Sequence, residues 1–367
     1  MLAPYPGVRG PVPKHTPILV DALNALGCDV VLEPWSRRHD HESIGEKLLN
    51  RAQDIPRIRR LLKAGHFDLM VVRTSHELQS LLANLPLLAA TRGLVPNAVV
   101  QFHGGRSDLL VAPGHRAFKA ASAALFALSD GVLLLSSEEA RESQRFWPRG
   151  RFRVVANPFL PPAADGPVER RTATGPVSLL FVARLIKEKG IFETLAAFAS
   201  VAEQRECTLV IVGDGPDAAE VASRVNELGL DGKVTLTGFL SGQPLLDAYR
   251  AADAFVFPSY REGFPTAITE ALYAGLPIVT TRTRGMADHL AEGQNALFVA
   301  PRDSGALTTA LERILDDAGL RARMSEANRA KVADFAPEAV AGQYLEALTQ
   351  IIAATKNGTP ATSLITE

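Results

Sequence analysis

The sequence predicts an α/β protein of two doubly wound parallel-sheet domains, on three observations. At 367 residues the chain exceeds what one ordinary hydrophobic core supports. In both halves, short apolar runs of strand length alternate with amphipathic stretches of helix length. Between the halves, residues 159–176 are rich in Pro, Ala and Gly without apolar periodicity, the composition of a linker. The expected domains are residues 1–160 and 177–336, followed by a helix over 337–355.

In the first half, residues 2–17 read as a Pro- and Gly-rich loop. A helical stripe of Ile18, Leu19, Ala22, Leu23 and Leu26 follows, closed by Gly27, and then a strand over 28–32. A doubly wound domain opens on a strand, and residues 1–3 are short for one. Residues 41–64 suit a helix interrupted at Pro56. A strand over 67–72, a helix over 78–91 and a strand over 98–102 lead to His103, Gly104 and Gly105. A lone His is more often structural, yet the carboxyl end of a parallel strand is where such sheets bind ligands. A helix over 117–128, a strand over 131–135, a helix capped by Ser137 and a strand over 152–156 complete this half.

The second half restarts the alternation, with strands over 177–182, 208–212 and 234–236 and helices over 192–204, 218–228 and 244–251. Beyond residue 282 come a short segment over 287–291, a strand over 296–299 and a helix over 304–316. In the last helix, Val340, Tyr344, Leu345, Leu348 and Ile351 form an apolar stripe. The tail from Lys356 is polar and reads as disordered.

Composition narrows the function classes. A net charge of −1 argues against a general nucleic-acid binder. The charge is uneven: over residues 1–165 Lys and Arg outnumber Asp and Glu 20 to 15. Lys47, Arg51, Arg57, Arg59, Arg60 and Lys63 crowd one segment. That segment is either a solvated helix face or a surface for anionic lipid headgroups, where each basic residue adds about 1 kcal/mol. Cys28 and Cys207 read as reduced core residues of a cytosolic protein. No apolar run reaches the ~18 residues of a membrane span, and no secretion signal is recognisable.

The richest stretch is residues 251–281, read as strand, tight loop, helix and strand. Residues 254–258 form a short apolar run, and Gly263 and Pro265 supply turn chemistry. Thr266 suits an N-cap and Gly275 a helix stop. Glu262 and Glu270, eight positions apart, flank the helix N-terminus, whose free N–H groups can seat a phosphate. Such Glu pairs also occur on solvated faces. Two carboxylates beside an anion seat, however, suit the hydroxyls and diphosphate of a nucleotide sugar.

Tyr260-Arg-Glu-Gly-Phe-Pro-Thr-Ala-Ile-Thr-Glu-Ala-Leu-Tyr-Ala-Gly-Leu-Pro-Ile-Val resembles the E-x7-E signature of retaining GT-B glycosyltransferases of family 4 (glycosyl transferases group 1). Phe181-Val-Ala-Arg-Leu-Ile-Lys-Glu-Lys-Gly190 resembles that family's Gly-Arg-Leu…Glu-Lys-Gly motif, with Ala183 where Gly is usual. Gly213-Asp-Gly-Pro216, Gly238-Phe239 and Asn157-Pro158 are similar to further family steps. The resemblance is strong over residues 177–302 and diffuse over 1–160.

The resemblance implies a GT-B fold, two Rossmann-like domains facing across a cleft, with the last helix packing back on the first. It implies that Arg184 and Lys189 hold the donor diphosphate, Glu262 the transferred sugar and Glu270 the ribose. Gly213, Gly215, Gly238 and Phe239 would approach the nucleotide. Gly263, Phe264 and Thr266 would give N–H groups to phosphate and sugar, Pro265 having none to give. His103 would face the transferred sugar, and residues 5–10, ending in Gly10, would form a phosphate-contacting loop. No metal or other cofactor is implied, and the scattered Asp and His residues lack metal-ligand spacing.

The activity implied is transfer of a hexose from a nucleotide-diphosphate sugar, UDP- ahead of GDP-, to a saccharide acceptor. A lipid-linked acceptor in cell-envelope or exopolysaccharide synthesis suits the positive first half, with peripheral contact to anionic membrane at the inner face of the plasma membrane. A nucleotide-sugar epimerase of the same fold and a non-catalytic nucleotide-sugar-binding partner of a membrane complex are the alternatives.

Overall fold

The computed structural model describes residues 1–5, 8, 10–35, 38–39, 41–161 and 175–356. The chain divides into two units, one of Met1–Leu160 with the segment from Phe335, the other Pro161–Asp334. Most of the expected linker and all but the first residue of the expected disordered tail lie outside the described residues.

In the first unit six parallel strands take the order β2-β1-β3-β4-β5-β6. They are β1 (Leu2–Ala3), β2 (Glu33–Pro34), β3 (Met70–His76), β4 (Ala98–Gly105), β5 (Gly131–Leu134) and β6 (Phe152–Val154). Helices α1 (Pro11–Ala25), α2 (Ile44–Ala64), α3 (Leu78–Thr91), α4 (Asp108–Val111), α5 (Arg116–Leu128) and α6 (Ser137–Phe146) connect them. Strand neighbours alternate between two cores, as a doubly covered sheet requires. Met70, Val72, Val100 and Val132 join Trp35, Leu81 and Phe126 on one face. Val71, Val99 and Leu133 meet Leu19, Val340, Tyr344 and Ile351 on the other.

Several local expectations are corrected. The stretch read as a loop contains β1, hydrogen-bonded between β2 and β3, and the helix starts at Pro11. Prolines in a first turn forfeit only N–H groups that the helix leaves unpaired anyway. Residues 28–32 are not a strand; pairing with β1 begins at Glu33. Helix α2 runs unbroken through Pro56, held by a Ser43–Glu46 capping box that contributes about 1 kcal/mol. Ser136, not Ser137, accepts the Glu139 N–H at the start of α6.

In the second unit the order is β12-β11-β10-β7-β8-β9, again all parallel. The strands are β7 (Val177–Val182), β8 (Cys207–Val212), β9 (Val234–Gly238), β10 (Ala254–Phe257), β11 (Ile278–Thr281) and β12 (Ala296–Val299). Helices α7 (Ile191–Ala202), α8 (Ala218–Glu227), α9 (Gln243–Ala251), α10 (Thr266–Tyr273), α11 (Arg284–His289), α12 (Ser304–Asp316) and α13 (Ala318–Lys331) surround it. Helix α13 carries little signal in the sequence because its apolar stripe is thin: Leu320 and Met324 are buried with the polar Ser325 and Asn328. The final helix, α14 (Pro337–Lys356), contributes its apolar stripe to the first unit.

Candidate functional site

In an open parallel sheet, ligands lie at the carboxyl ends of strands where the winding reverses. In the second unit that point falls between β7 and β10. The loops following these two strands carry Arg184, Lys189 and Glu262.

Glycine lets these loops close up. A Cβ on Gly213, at φ +146°, would stand 1.8 Å from the Ala183 carbonyl oxygen, and one on Gly215 2.3 Å from that of Leu185. The ladder continues past the strands through Leu185 N to Asp214 O at 2.9 Å and Gly213 N to Gly238 O at 2.8 Å. Asp217 accepts the Lys187 N–H at 2.7 Å and ties down a 3₁₀ turn, Lys187–Lys189. At Gly190, φ +77°, a Cβ would meet the Pro258 carbonyl at 2.3 Å, so this turn presses on the end of β10.

The turn brings Lys189 Nζ into an ion pair with Glu262 Oε1. Both side chains are largely buried, and Ser259 Oγ lies 3.0 Å from the same carboxylate oxygen. Arg184 is exposed and has no partner among the described residues. Here sits a loop with one free guanidinium and one paired ammonium.

Helix α10 begins with Pro265 at its N-cap, so Thr266 is the first helical residue rather than the cap. Gly275 ends the helix at φ +66°. The Phe264 ring packs against His289 with centroids 4.6 Å apart, so this residue faces a ligand through its backbone alone. Glu270 Oε2 accepts from the Tyr249 hydroxyl at 3.0 Å. Burial, and then the Glu270 charge, push that hydroxyl well above its usual range and keep it a donor. Gly238 and Phe239 close β9, with the Phe239 ring 68% exposed.

Tyr249, Ser259 and Arg284 escaped the sequence reading. Tyr249 is hidden in the apolar stripe of α9. Arg284 is buried with φ +47°, beside Gly285, whose N–H donates to Gly263 O at 2.7 Å. A positive-φ arginine has no sequence signature.

His103 and Gly10 belong to the first unit, where both line one cavity. His103 Nε2 accepts from Arg73 Nε at 3.1 Å, which leaves the ring proton on Nδ1. Burial first, then Arg73 and His15, hold the His103 pKa well below the ordinary value, so the ring is neutral. Residues 6, 7 and 9 of the expected phosphate loop lie outside the described residues. Among those described, no group of three or more His, Cys, Asp or Glu is arranged to hold a metal ion. None of their helices is long and apolar enough to cross a membrane.

Comparison with known proteins finds likenesses in sequence and in fold. Residues 168–331 match the family model for glycosyl transferases group 1. Glycogen synthase of Mycobacterium tuberculosis (strain CDC 1551 / Oshkosh) is 33% identical over 191 residues, 52% of this chain and 45% of that protein. The chain thus spans about half the length of that relative. The lipopolysaccharide outer core galactosyltransferase WaaB superposes with a TM-score of 0.72 at 17% identity, over 95% of this chain and 98% of that one. Anabaena HepE in complex with UDP-glucose gives 0.69 at 17% identity, over 95% and 98%. The chain has the GT-B fold. The match to the family model falls on the unit that holds Arg184, Lys189, Glu262 and Glu270.

Proposed function

We propose that this protein is a retaining, metal-independent glycosyltransferase of family 4. It moves a hexose from a UDP-sugar, in preference to a GDP-sugar, to a saccharide carried on a lipid, in cell-envelope or exopolysaccharide synthesis. It works in the cytoplasm, at the inner face of the plasma membrane. The observation that carries this reading is the Lys189–Glu262 pair, on loops flanking the β7/β10 reversal, with Arg184 unpartnered among the described residues on the first of them.

Each side chain has a task in that chemistry. Arg184 and Lys189 offset the charge growing on the departing diphosphate. Glu262 accepts from hydroxyls of the transferred sugar, and Glu270, oriented by Tyr249, from the ribose. The exposed Phe239 ring offers a face to the base. The N–H groups of Gly263, Phe264 and Thr266 meet phosphate and sugar. His103, protonated on Nδ1, donates to the sugar. The acceptor oxygen bonds to the anomeric carbon on the face from which the diphosphate leaves. Its proton passes to the departing phosphate oxygen, and a nucleoside diphosphate is released. The UDP-glucose bound to HepE supports the donor class, and the outer-core activity named for WaaB supports the envelope assignment.

Titration calorimetry with UDP-glucose, UDP-galactose and GDP-mannose tests the donor site. Binding of one donor, weakened at least about tenfold by Glu262→Gln and by Arg184→Ala, is the expected result. A folded protein that binds none of them would refute the reading. Turnover unchanged in EDTA and a product of retained anomeric configuration, read by NMR, test the finer claims. A glycosyl-enzyme trapped on either Glu would sink the proposed course.

A further inference from the structure

The first sheet reverses its winding between β1 and β3, and a cavity of about 350 Å³ opens at that point. Its wall contains three cations, Arg73 from β3 and Lys47 and Arg51 from α2. Arg73 is 1% exposed. Its Nε is committed to His103, its Nη1 lies 4.0 Å from the Met1 sulfur, and its buried Nη2 has no partner among the described residues. Arg51 Nε is likewise buried and unpartnered, and Lys47 makes no ion pair among the described residues. A buried guanidinium with no carboxylate beside it is costly unless an anion completes it. Arg73 is that guanidinium among the described residues; its unpartnered Nη2, with the unpartnered Nε of the half-buried Arg51, on which the Glu42 charge acts, marks a place built for an acceptor atom.

Two carboxylates share the wall. Glu77 is exposed at the N-cap of α3. Glu42 Oε1 accepts from Arg38 N and Asn50 Nδ2, while Oε2 is buried without a donor among the described residues. Three cations therefore face two acids, and the deepest cation has no acidic partner among the described residues. The free Glu42 oxygen calls for a hydroxyl in the same ligand.

We propose that this cavity binds the phosphate group of a polyhydroxylated acceptor through Arg73, Arg51 and Lys47, with Glu42 taking one of its hydroxyls. The inference rests on the transfer reading but not on its lipid-borne acceptor: it names the acceptor class as a phosphate-bearing sugar or polyol, either soluble, which would revise that part of the reading, or part of a lipid headgroup.

Full-length protein is titrated with inorganic phosphate at constant ionic strength, against chloride as control. Arg73→Gln alone risks unfolding, so the deciding variant is Lys47→Ala/Arg51→Ala, checked by circular dichroism. Arg184→Ala removes the donor seat and separates the two sites. Phosphate binding that survives Arg184→Ala and weakens at least tenfold in the double variant is the expected result. Absence of phosphate binding, or binding indifferent to the double variant, overturns the proposal while leaving donor binding to be judged by the UDP-sugar titration. Flotation with phosphatidylcholine vesicles, with and without phosphatidylglycerol, then separates the sources. Phosphate-competed, Lys47/Arg51-dependent binding to the anionic vesicles assigns a headgroup. Phosphate binding without such flotation assigns a soluble acceptor. Either outcome upholds the cavity as a phosphate site.

Discussion

Replacing Gly213 by alanine tests whether the donor loops are positioned by direct backbone contact. The new Cβ would stand 1.8 Å from the Ala183 carbonyl oxygen, and φ there is +146°. An unstrained carbon-to-carbonyl contact needs about 3.3 Å, so one backbone must retreat by roughly 1.5 Å. The dihedral strain alone costs on the order of 1–3 kcal/mol. With the displacement added, about 3 kcal/mol or more is expected, lowering the melting temperature by about 6–12 °C for a unit of this size. The displaced carbonyl immediately precedes Arg184, so the guanidinium moves with it, and a shift near 1 Å can cost about 100-fold in a positioned site. Gly229→Ala is the control: φ is +63°, with nothing within 4 Å of the new Cβ, so only about 1 kcal/mol is expected. Differential scanning calorimetry and UDP-glucose titration read both effects. If Gly213→Ala melts within about 2 °C of Gly229→Ala and binds donor like the parent protein, the donor loops are not positioned by direct backbone contact.

Two further perturbations probe the buried polar groups. Tyr249→Phe removes the donor to Glu270 Oε2 and should cost about 1–2 kcal/mol of stability. It should raise the donor KM several-fold with kcat within about twofold, as loss of uniform binding does; an unmoved KM would detach Glu270 from the ribose. His15 donates Nδ1–H to Pro158 O at 2.9 Å, and burial, with Lys14 and Arg73 nearby, lowers its pKa to about 3. Above pH 6.5 both folded and unfolded forms are neutral at this residue. Below it the unfolded chain takes a proton that the folded one refuses, so stability falls from pH 6.5 towards 3. His103 acts in the same direction. His15→Gln should flatten that decline by about one proton, roughly 1.4 kcal/mol per pH unit below pH 5.5, measured by urea denaturation. Parallel curves for parent and variant would refute the neutral, buried His15.

The sequence alone determined the alternation of strands and helices, the parallel sheets and the motif residues of the second half. Each rests on a local signal: a run of Val, Ile and Phe long enough for one strand, or a glycine that a turn demands. The span from Ala254 to Thr281 carries all of these, and its strand, loop, helix and strand were legible to within a residue or two. Even there the helix cap moved from Thr266 to Pro265, because a cap depends on dihedrals that several neighbouring residues can adopt. Where pairing partners decide, the chain was less readable. Leu2–Ala3 is too short to announce itself, and becomes a strand because β2 and β3 hold it on both sides. Pro56 interrupts helices in general, yet Ile58 and Leu62 bury fully enough to carry α2 through it. Only tertiary structure joined Lys189 to Glu262, Tyr249 to Glu270 and Arg73 to His103, pairs separated by 73, 21 and 30 positions. Contacts of that kind are made by the stacking of separate strand-to-helix units. No local periodicity encodes which side chains such stacking brings face to face.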